Sequence, residues 1–328
     1  MMWVTSNRSS WMGSTRIQRG PPRRLVDGHP RFPPIRASPK KNQISIAGVI
    51  ASLVVGALVI AAGSDGSVEV GSVAVFAICG VLSYLINWAV FVPSNQAKTE
   101  RFFDLTGSLT YVTLIVVAVG FSDDLDARAM VVAAMVVVWA VRLGSFLFRR
   151  VRRDGRDGRF DRIKTDPLRF FMTWTLQGLW VLLTAACALA VITSAGREPI
   201  GWAAILGIGV WAIGFVIEVV ADQQKSAFRQ VETNKDRFIT TGLWAWSRHP
   251  NYFGEVMLWT GVAIMAVPVL SGWRWATLIS PVFVVILLTR ISGVPLLEAR
   301  AQKRWGDEDS FQAYRNATPS LIPRLPSR

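Results

Sequence analysis

Eight long apolar runs dominate this chain, at approximately residues 44–63, 70–92, 105–121, 129–148, 170–194, 200–220, 251–270 and 275–297. Each is close to the ~20 residues a helix needs to cross the hydrocarbon core of a bilayer. A soluble fold of 328 residues, even at 51% hydrophobic content, would break its apolar residues into stripes of period 2 or 3.6. Here they come as long runs instead, with few polar residues inside them. The expected fold is all-α: a multi-pass transmembrane helical bundle of about eight spans, or seven if the first run, the least tied to the rest, is peripheral. No internal repeat and no soluble domain is visible.

The net charge of +14 is read as topology rather than as nucleic-acid binding. Residues 1–41 hold nine Lys/Arg against one acid, and the loop 149–169 holds nine against four. The loops 93–104 and 221–250 are basic as well, whereas 64–69 and 122–128 are acidic or nearly so. Basic residues beside spans mark the cytoplasmic side and anionic lipid. The alternation predicts eight spans with both termini cytoplasmic, in a bacterial inner membrane or in an endoplasmic-reticulum or organellar one. Three segments follow: a basic tail over 1–41, a transmembrane domain over 42–297 and an amphipathic cytoplasmic segment over 298–328. The tail is rich in Arg, Ser and Pro and lacks an apolar h-region, so it reads as disordered rather than as a secretory signal peptide. An organellar transit segment, or a start placed upstream of the real one, shares its composition.

Two cysteines, Cys79 and Cys187, sit far apart inside apolar runs, which suggests neither a disulfide framework nor a zinc site. Two histidines, His29 and His249, exclude a multi-histidine metal centre. No Walker motif, nucleophile elbow or GxGxxG fingerprint is present.

What remains is polar groups at the ends of spans, where lipid makes them expensive. Glu218, Asp222, Lys225 and Arg229 recur at i, i+4, i+7 and i+11, within a stripe about 60° wide on one helix face. That stripe suits a groove for an elongated anion, or a salt-bridged helix end. Arg142, Arg149 and Arg153 share another face and run into the Gly-punctuated loop 154–160, which can wrap phosphates or serve as an ordinary basic loop. In Ser247–Glu255, Pro250 fits a first helical turn, whose N–H groups favour an anion. Arg248 and His249 add positive charge there, and Asn251 and Glu255 face the same way beside Tyr252. Asp104, Ser108 and Tyr111 share a face of the third span, where an acid and a phenol can polarise a carbonyl, or Asp104 can simply cap the helix.

These groups stand in ordered motifs: Asp104-Leu-Thr-Gly-Ser-Leu-Thr-Tyr111, Trp139-Ala-Val-Arg-Leu-Gly144, Asp154-Gly-Arg-Asp-Gly-Arg-Phe160, Trp174 with Gln177-Gly-Leu-Trp180, Ala221-Asp-Gln-Gln-Lys225, Gly242-Leu-Trp244, Ser247–Glu255 and Ser292-Gly-Val-Pro-Leu-Leu-Glu298. Over about residues 70–325 the chain resembles the DUF1295 family of multi-pass membrane proteins, related to the steroid 5-alpha-reductases and more distantly to the sterol C14-reductases. The resemblance implies NADPH in a cytoplasm-facing cavity and hydride transfer to an activated C=C bond of a lipophilic steroid-, sterol- or isoprenoid-like substrate. By matching spacing it puts Asp222, Arg229, Asn251 and Glu255 on cofactor-contacting positions, Arg153 on a phosphate-contacting arginine and Arg142 on a positioning arginine; Lys225, Trp244, Arg248, His249 and Tyr252 complete the expected cofactor-binding set. Asp104 takes the place of a glutamate that holds the substrate ketone, and Trp139 the place of a tyrosine. An indole donates one hydrogen bond but has no acidic phenol, and Tyr111 on the neighbouring helix can substitute. The arginines favour NADPH over NADH, because a 2′-phosphate needs a cation.

The segment Arg248, His249, Pro250, Tyr252 and Gly254 equally resembles the isoprenylcysteine carboxyl methyltransferases, which bind S-adenosylmethionine. A non-catalytic lipid-binding or scaffolding membrane protein is the third reading.

Overall fold

The computed structural model describes residues 39–154, 158 and 160–325, with 39–41 and 150–154 as backbone alone. The expected tail up to residue 38, most of the Gly-punctuated Arg loop and the side chain of Arg153 therefore lie outside the described residues.

The eight apolar runs become eight helical elements long and apolar enough to cross a membrane. They are α1 (Pro39–Ser64), α2 (Val75–Gln96), α3 (Phe103–Gly120), α4 (Ala127–Asp154), α5 (Pro167–Ile192), α6 (Trp202–Gln230), α7 (Pro250–Ala266) and a last, broken span. That last span runs from a 3₁₀ stretch, Gly272–Leu278, through α8 (Ile279–Ile286) and a π turn, Leu287–Ile291, into α9 (Val294–Trp305); α10 (Asp309–Ala317) follows it. The basic loops follow α2, α4 and α6, at one end of the bundle.

Local chemistry sets several of these starts. Asp166 accepts the Arg169 amide at 3.2 Å ahead of Pro167, and Asp126 accepts the Ala129 amide at 2.8 Å. Pro250 opens α7, as expected. Three boundaries differ from the apolar pattern. Residues 69–74 form a small hairpin, Glu69–Val70 against Val73–Ala74, turned by Gly71 at φ 65°, so the second span begins at Val75 rather than at 70. The sixth helix runs ten residues past its apolar part, because the charges that follow still lie on one buried face. Finally, 298 falls inside α9, and the segment beyond it holds a second helix before its coil.

α5 is the axis of the bundle. Its span window is 89% buried, whereas that of α1 is 22% buried. α1 still docks, since Tyr84 Oη donates to Ser52 O at 2.8 Å. Its remaining surface, including Ile44, Ile50, Val54 and Leu58, faces outward, as lipid contact requires. On the face away from the basic loops two arginines are buried. Arg128 donates to the carbonyls of Glu198, Pro199 and Met265 at 3.3, 2.7 and 2.8 Å. Arg274 donates to Gly66 O, Ser194 Oγ and Ala190 O. Exposed Trp202 and Trp273 rim that face, where amphipathic rings suit a membrane interface.

The tightest helix pair is α6 with α7, antiparallel along a seam of glycines seven residues apart. A Cβ on Gly214 would lie 2.6 Å from Gly254 O, and one on Gly207 would lie 2.6 Å from Gly261 O. A Cβ on Gly254 would meet Gly214 O at 2.5 Å and the Glu218 amide at 2.7 Å. Only glycine permits backbones this close. Gly254→Val should therefore force the helices apart and lower stability by about 1–3 kcal/mol or more. Gly209→Ala, on the same helix but with nothing within 4 Å of the added carbon, should be neutral or stabilising by up to ~1 kcal/mol. Unfolding of detergent-purified protein, followed by circular dichroism, checks both.

Candidate functional site

The seam fixes what stands beside what at the basic end of the bundle. Glu218 and Asp222 of α6 meet Asn251 and Glu255 of α7, and all four are buried. Asn251 Nδ2 donates to Asp222 Oδ1 at 3.3 Å. Arg142 reaches across from α4 and forks over both acids, with Nη1 2.5 Å from Glu218 Oε1 and Nη2 2.5 Å from Asp222 Oδ2. The acids of the expected stripe on α6 pair across to α4, and Lys225 of their own helix also lies within electrostatic reach of Asp222. Arg149, expected on the face of Arg142, is exposed and donates to its own helix at Ser145 O, 3.1 Å away.

One turn nearer the basic face, Lys225 is buried with its Nζ 4.3 Å above the Trp244 ring, a cation–π contact. Trp244 is held by its indole N–H, which donates to Ala221 O at 3.0 Å. Its loop turns at Gly242, whose φ of 62° suits glycine. The C-terminal segment straps over this loop. Tyr314 Oη donates to Trp244 O at 2.7 Å, Arg248 N donates to Pro319 O at 2.9 Å, and Ser247 Oγ donates to Leu321 O at 2.9 Å.

Strap, loop and the end of α6 enclose a cavity of about 150 Å³. Lys225, Arg229, Arg237, Arg248, Arg300 and Arg304 line it together with a single acid, Glu298, and its walls include Phe228, Phe238, Trp244, Trp305 and Tyr314. Cations set among flat rings suit a phosphorylated aromatic ligand. Arg248 is already engaged, by Glu298 Oε1 at 2.9 Å and by the carbonyls of Arg315 and Thr318 at 2.6 and 2.7 Å. His249 Nε2 lies 2.9 Å from the same Glu298 oxygen. With a carboxylate there, Nε2 carries the proton and Nδ1 is left as a buried lone pair with no acceptor or donor opposite it.

Deeper in the bundle, below Glu255, three aromatic rings form a triangle. Tyr111 meets Trp139 edge-on at 5.1 Å, Trp139 meets Trp259 edge-on at 4.9 Å, and Tyr111 and Trp259 stand 6.2 Å apart. All three are at most 5% exposed. Among the described residues the Trp139 and Trp259 N–H groups have no acceptor, and the Tyr111 hydroxyl has no well-formed hydrogen bond, with Thr184 as its polar neighbour. Unpaired buried donors are costly, and a cluster of them in an apolar core suits an acceptor oxygen from outside the protein. Asp104 is not part of this triangle. It is half-buried in the first turn of α3, about 10 Å along the helix axis from Tyr111.

The structure thus groups the expected residues into three layers: the cavity with Lys225, Arg229, Trp244, Arg248 and His249, on whose ring Tyr252 stacks at 5.7 Å; the polar layer with Arg142, Asp222, Asn251 and Glu255; and the aromatic triangle with Tyr111 and Trp139. Sequence reasoning passed over Trp259, although it lies at i+4 from Glu255 and i+8 from Asn251, on the same face of α7. It also passed over Arg237, Arg300 and Arg304, which only the folded strap brings to the cavity.

Arg142→Met should leave two carboxylates buried without a counter-charge and cost about 3–5 kcal/mol. Adding Glu218→Gln and Asp222→Asn should recover most of that loss, as read by denaturant unfolding of the three variants. His249 gives a pH dependence of definite sign. Burial holds its imidazole below the usual 6.5; the Glu298 contact opposes this, while Lys225 and Arg248 add to it. Unfolded chains therefore take up the proton first as pH falls. The stability His249 contributes is complete above about 6.5 and is lost on acidification below it. His249→Phe should flatten that part of the stability–pH curve.

No solved structure matches the chain. The uncharacterized protein C594.04c of Schizosaccharomyces pombe is 23% identical over 210 residues, which are 55% of this chain and 61% of that protein. The lamin-B receptor of Drosophila melanogaster is 24% identical over 136 residues, 39% of this chain and 17% of the receptor. The chain thus spans less than two thirds of either relative. A family described as proteins of unknown function, DUF1295, matches residues 90–318, from the middle of α2 to the strap, and so takes in the cavity, the polar layer and the triangle alike. With more than two thirds of its length inside that match, this membrane-spanning chain belongs to the DUF1295 family.

Proposed function

We propose that this protein is a membrane reductase that uses NADPH to saturate an activated C=C bond in a lipophilic carbonyl compound. One observation carries the reading: the cationic cavity and the donor triangle are joined by shared helix faces. Arg229, Lys225, Asp222 and Glu218 run inward along α6, while Asn251, Glu255 and Trp259 continue inward along α7. An elongated ligand with phosphates at one end and a flat ring at the other fits that line. The resemblance to steroid and sterol reductases supports it.

The donor set fits the cofactor. Arg229, Arg237, Arg300 and Arg304 would hold its phosphates, and Lys225 with Trp244 the neighbouring ring or ribose. His249 Nδ1 offers a buried acceptor to a ribose hydroxyl. Asn251, Tyr252 and Glu255 would orient the nicotinamide end. When bound, NADPH supplies hydride to the β-carbon of the substrate. Tyr111, Trp139 and Trp259 donate to the carbonyl oxygen, where charge develops, and their low-dielectric setting strengthens each bond. Tyr111 alone among the three carries an acidic O–H and is the group to pass a proton. Asp104, about 10 Å along α3 from Tyr111, is given no part at the carbonyl in this reading. The protein's share is placement and electrostatics.

Thermal unfolding with NADPH, NADH and S-adenosylmethionine tests this directly. NADPH at a hundred times its Kd should stabilise by about 2.7 kcal/mol, and Asn251→Ala and Arg304→Ala should weaken the shift. A shift with S-adenosylmethionine alone would replace the reading with a methyltransferase, and no shift with any ligand would favour a lipid-binding scaffold. With an active enone in hand, Trp259→Phe should lower turnover by about 10²-fold, the usual loss for one oxyanion donor, with NADPH binding unchanged.

A further inference from the structure

A second cavity lies outside these three layers, on the flank where α3 and α4 face lipid. It is a groove of about 240 Å³ whose walls include Leu109 and Val112 of α3 and Val141 and Phe148 of α4. Its floor is made where small residues meet: a Cβ on Gly144 would lie 2.8 Å from the Ser108 Cβ. The helices therefore touch at the floor, and neither has a side chain that fills the space above it. Leu109 and Val141 on the rim are 53% and 54% exposed, as residues facing hydrocarbon are. From Leu105 at its outer end to Val112 the groove runs about 10 Å along the helix. A void there forfeits dispersion contacts on every wall, and a bilayer offers alkyl chains to fill it.

Arg149 follows the groove residue Ser145 by one turn of α4, on the side of the basic loops. That side chain is exposed, and its Nε is tethered at 3.1 Å to the carbonyl of Ser145, itself a groove residue. The tether holds the guanidinium beside a groove residue, and no carboxylate among the described residues pairs with it. A planar fork in that position matches phosphate oxygens. We propose that the α3–α4 groove is a binding site for an anionic phospholipid, with one acyl chain along Ser108 and Gly144 and the phosphate on Arg149. The site is independent of the reductase reading.

The test uses the full chain in nanodiscs of phosphatidylcholine doped with phosphatidylglycerol that carries a photoreactive diazirine in its acyl chain. A phosphatidylcholine with the same chain serves as control. Crosslinked peptides should map to 105–112 and 140–148 above the labelling of the lipid-facing α1 surface. The anionic lipid should be preferred about five-fold, the effect expected of one cation near anionic headgroups. Arg149→Gln, a surface change that leaves the groove intact, should reduce that preference to parity. Ser145→Phe should remove labelling of both segments with either lipid. Labelling no stronger than on α1, or equal labelling by both lipids in the wild-type protein, would overturn the proposal.

Discussion

Everything at the basic end of this bundle depends on two helices being allowed to touch. The Gly214–Gly254 and Gly207–Gly261 contacts bring the backbones of α6 and α7 together, so the residues one turn further on have no choice of neighbour. Glu218 and Asp222 on one helix must share space with Asn251 and Glu255 on the other. Acids crowded into a low-dielectric layer repel one another and lose their hydration. Arg142, arriving from α4, makes the crowding tolerable by forking across two of them. The polar layer is thus a consequence of the seam, and α4 is held in place by the layer in turn.

Much of this was legible in the chain, for reasons that differ from element to element. Spans read well because a bilayer demands about twenty apolar residues regardless of what packs where. The stripe on α6 read well because helical spacing alone puts Asp222 and Lys225 on the face of Glu218. The partner of that stripe did not, since a contact between α4 and α6 has no local signature. Residues 70–74 looked like the start of a span because two valines in a hairpin have the hydropathy of two valines in a helix. Asp104 and Tyr111 share a helical face and so looked like partners, yet a shared face says nothing of the distance along the axis. Trp259 was hidden among apolar neighbours: an indole counts as hydrophobic until its N–H is seen to lack an acceptor.

The three layers differ in the forces that build them. Long-range strap contacts from Arg248, Tyr314 and Ser247 assemble the cavity, and its charges come from four separate stretches of chain. Ion pairs and a glycine seam assemble the polar layer. The triangle rests on edge-to-face ring packing, which fixes orientation well and leaves polar atoms over. The order runs from charged side chains near the basic loops to buried rings in the core.

The two arginines buried on the far face bear on what the membrane itself tolerates. A guanidinium carried this far from the basic loops has no favourable place against hydrocarbon alone. Arg128 and Arg274 direct their N–H groups at the carbonyls of Glu198, Pro199, Met265, Gly66 and Ala190. Those carbonyls belong to loops and helix ends from separate stretches of chain, so each arginine acts as a clasp that ties neighbouring ends of the bundle together.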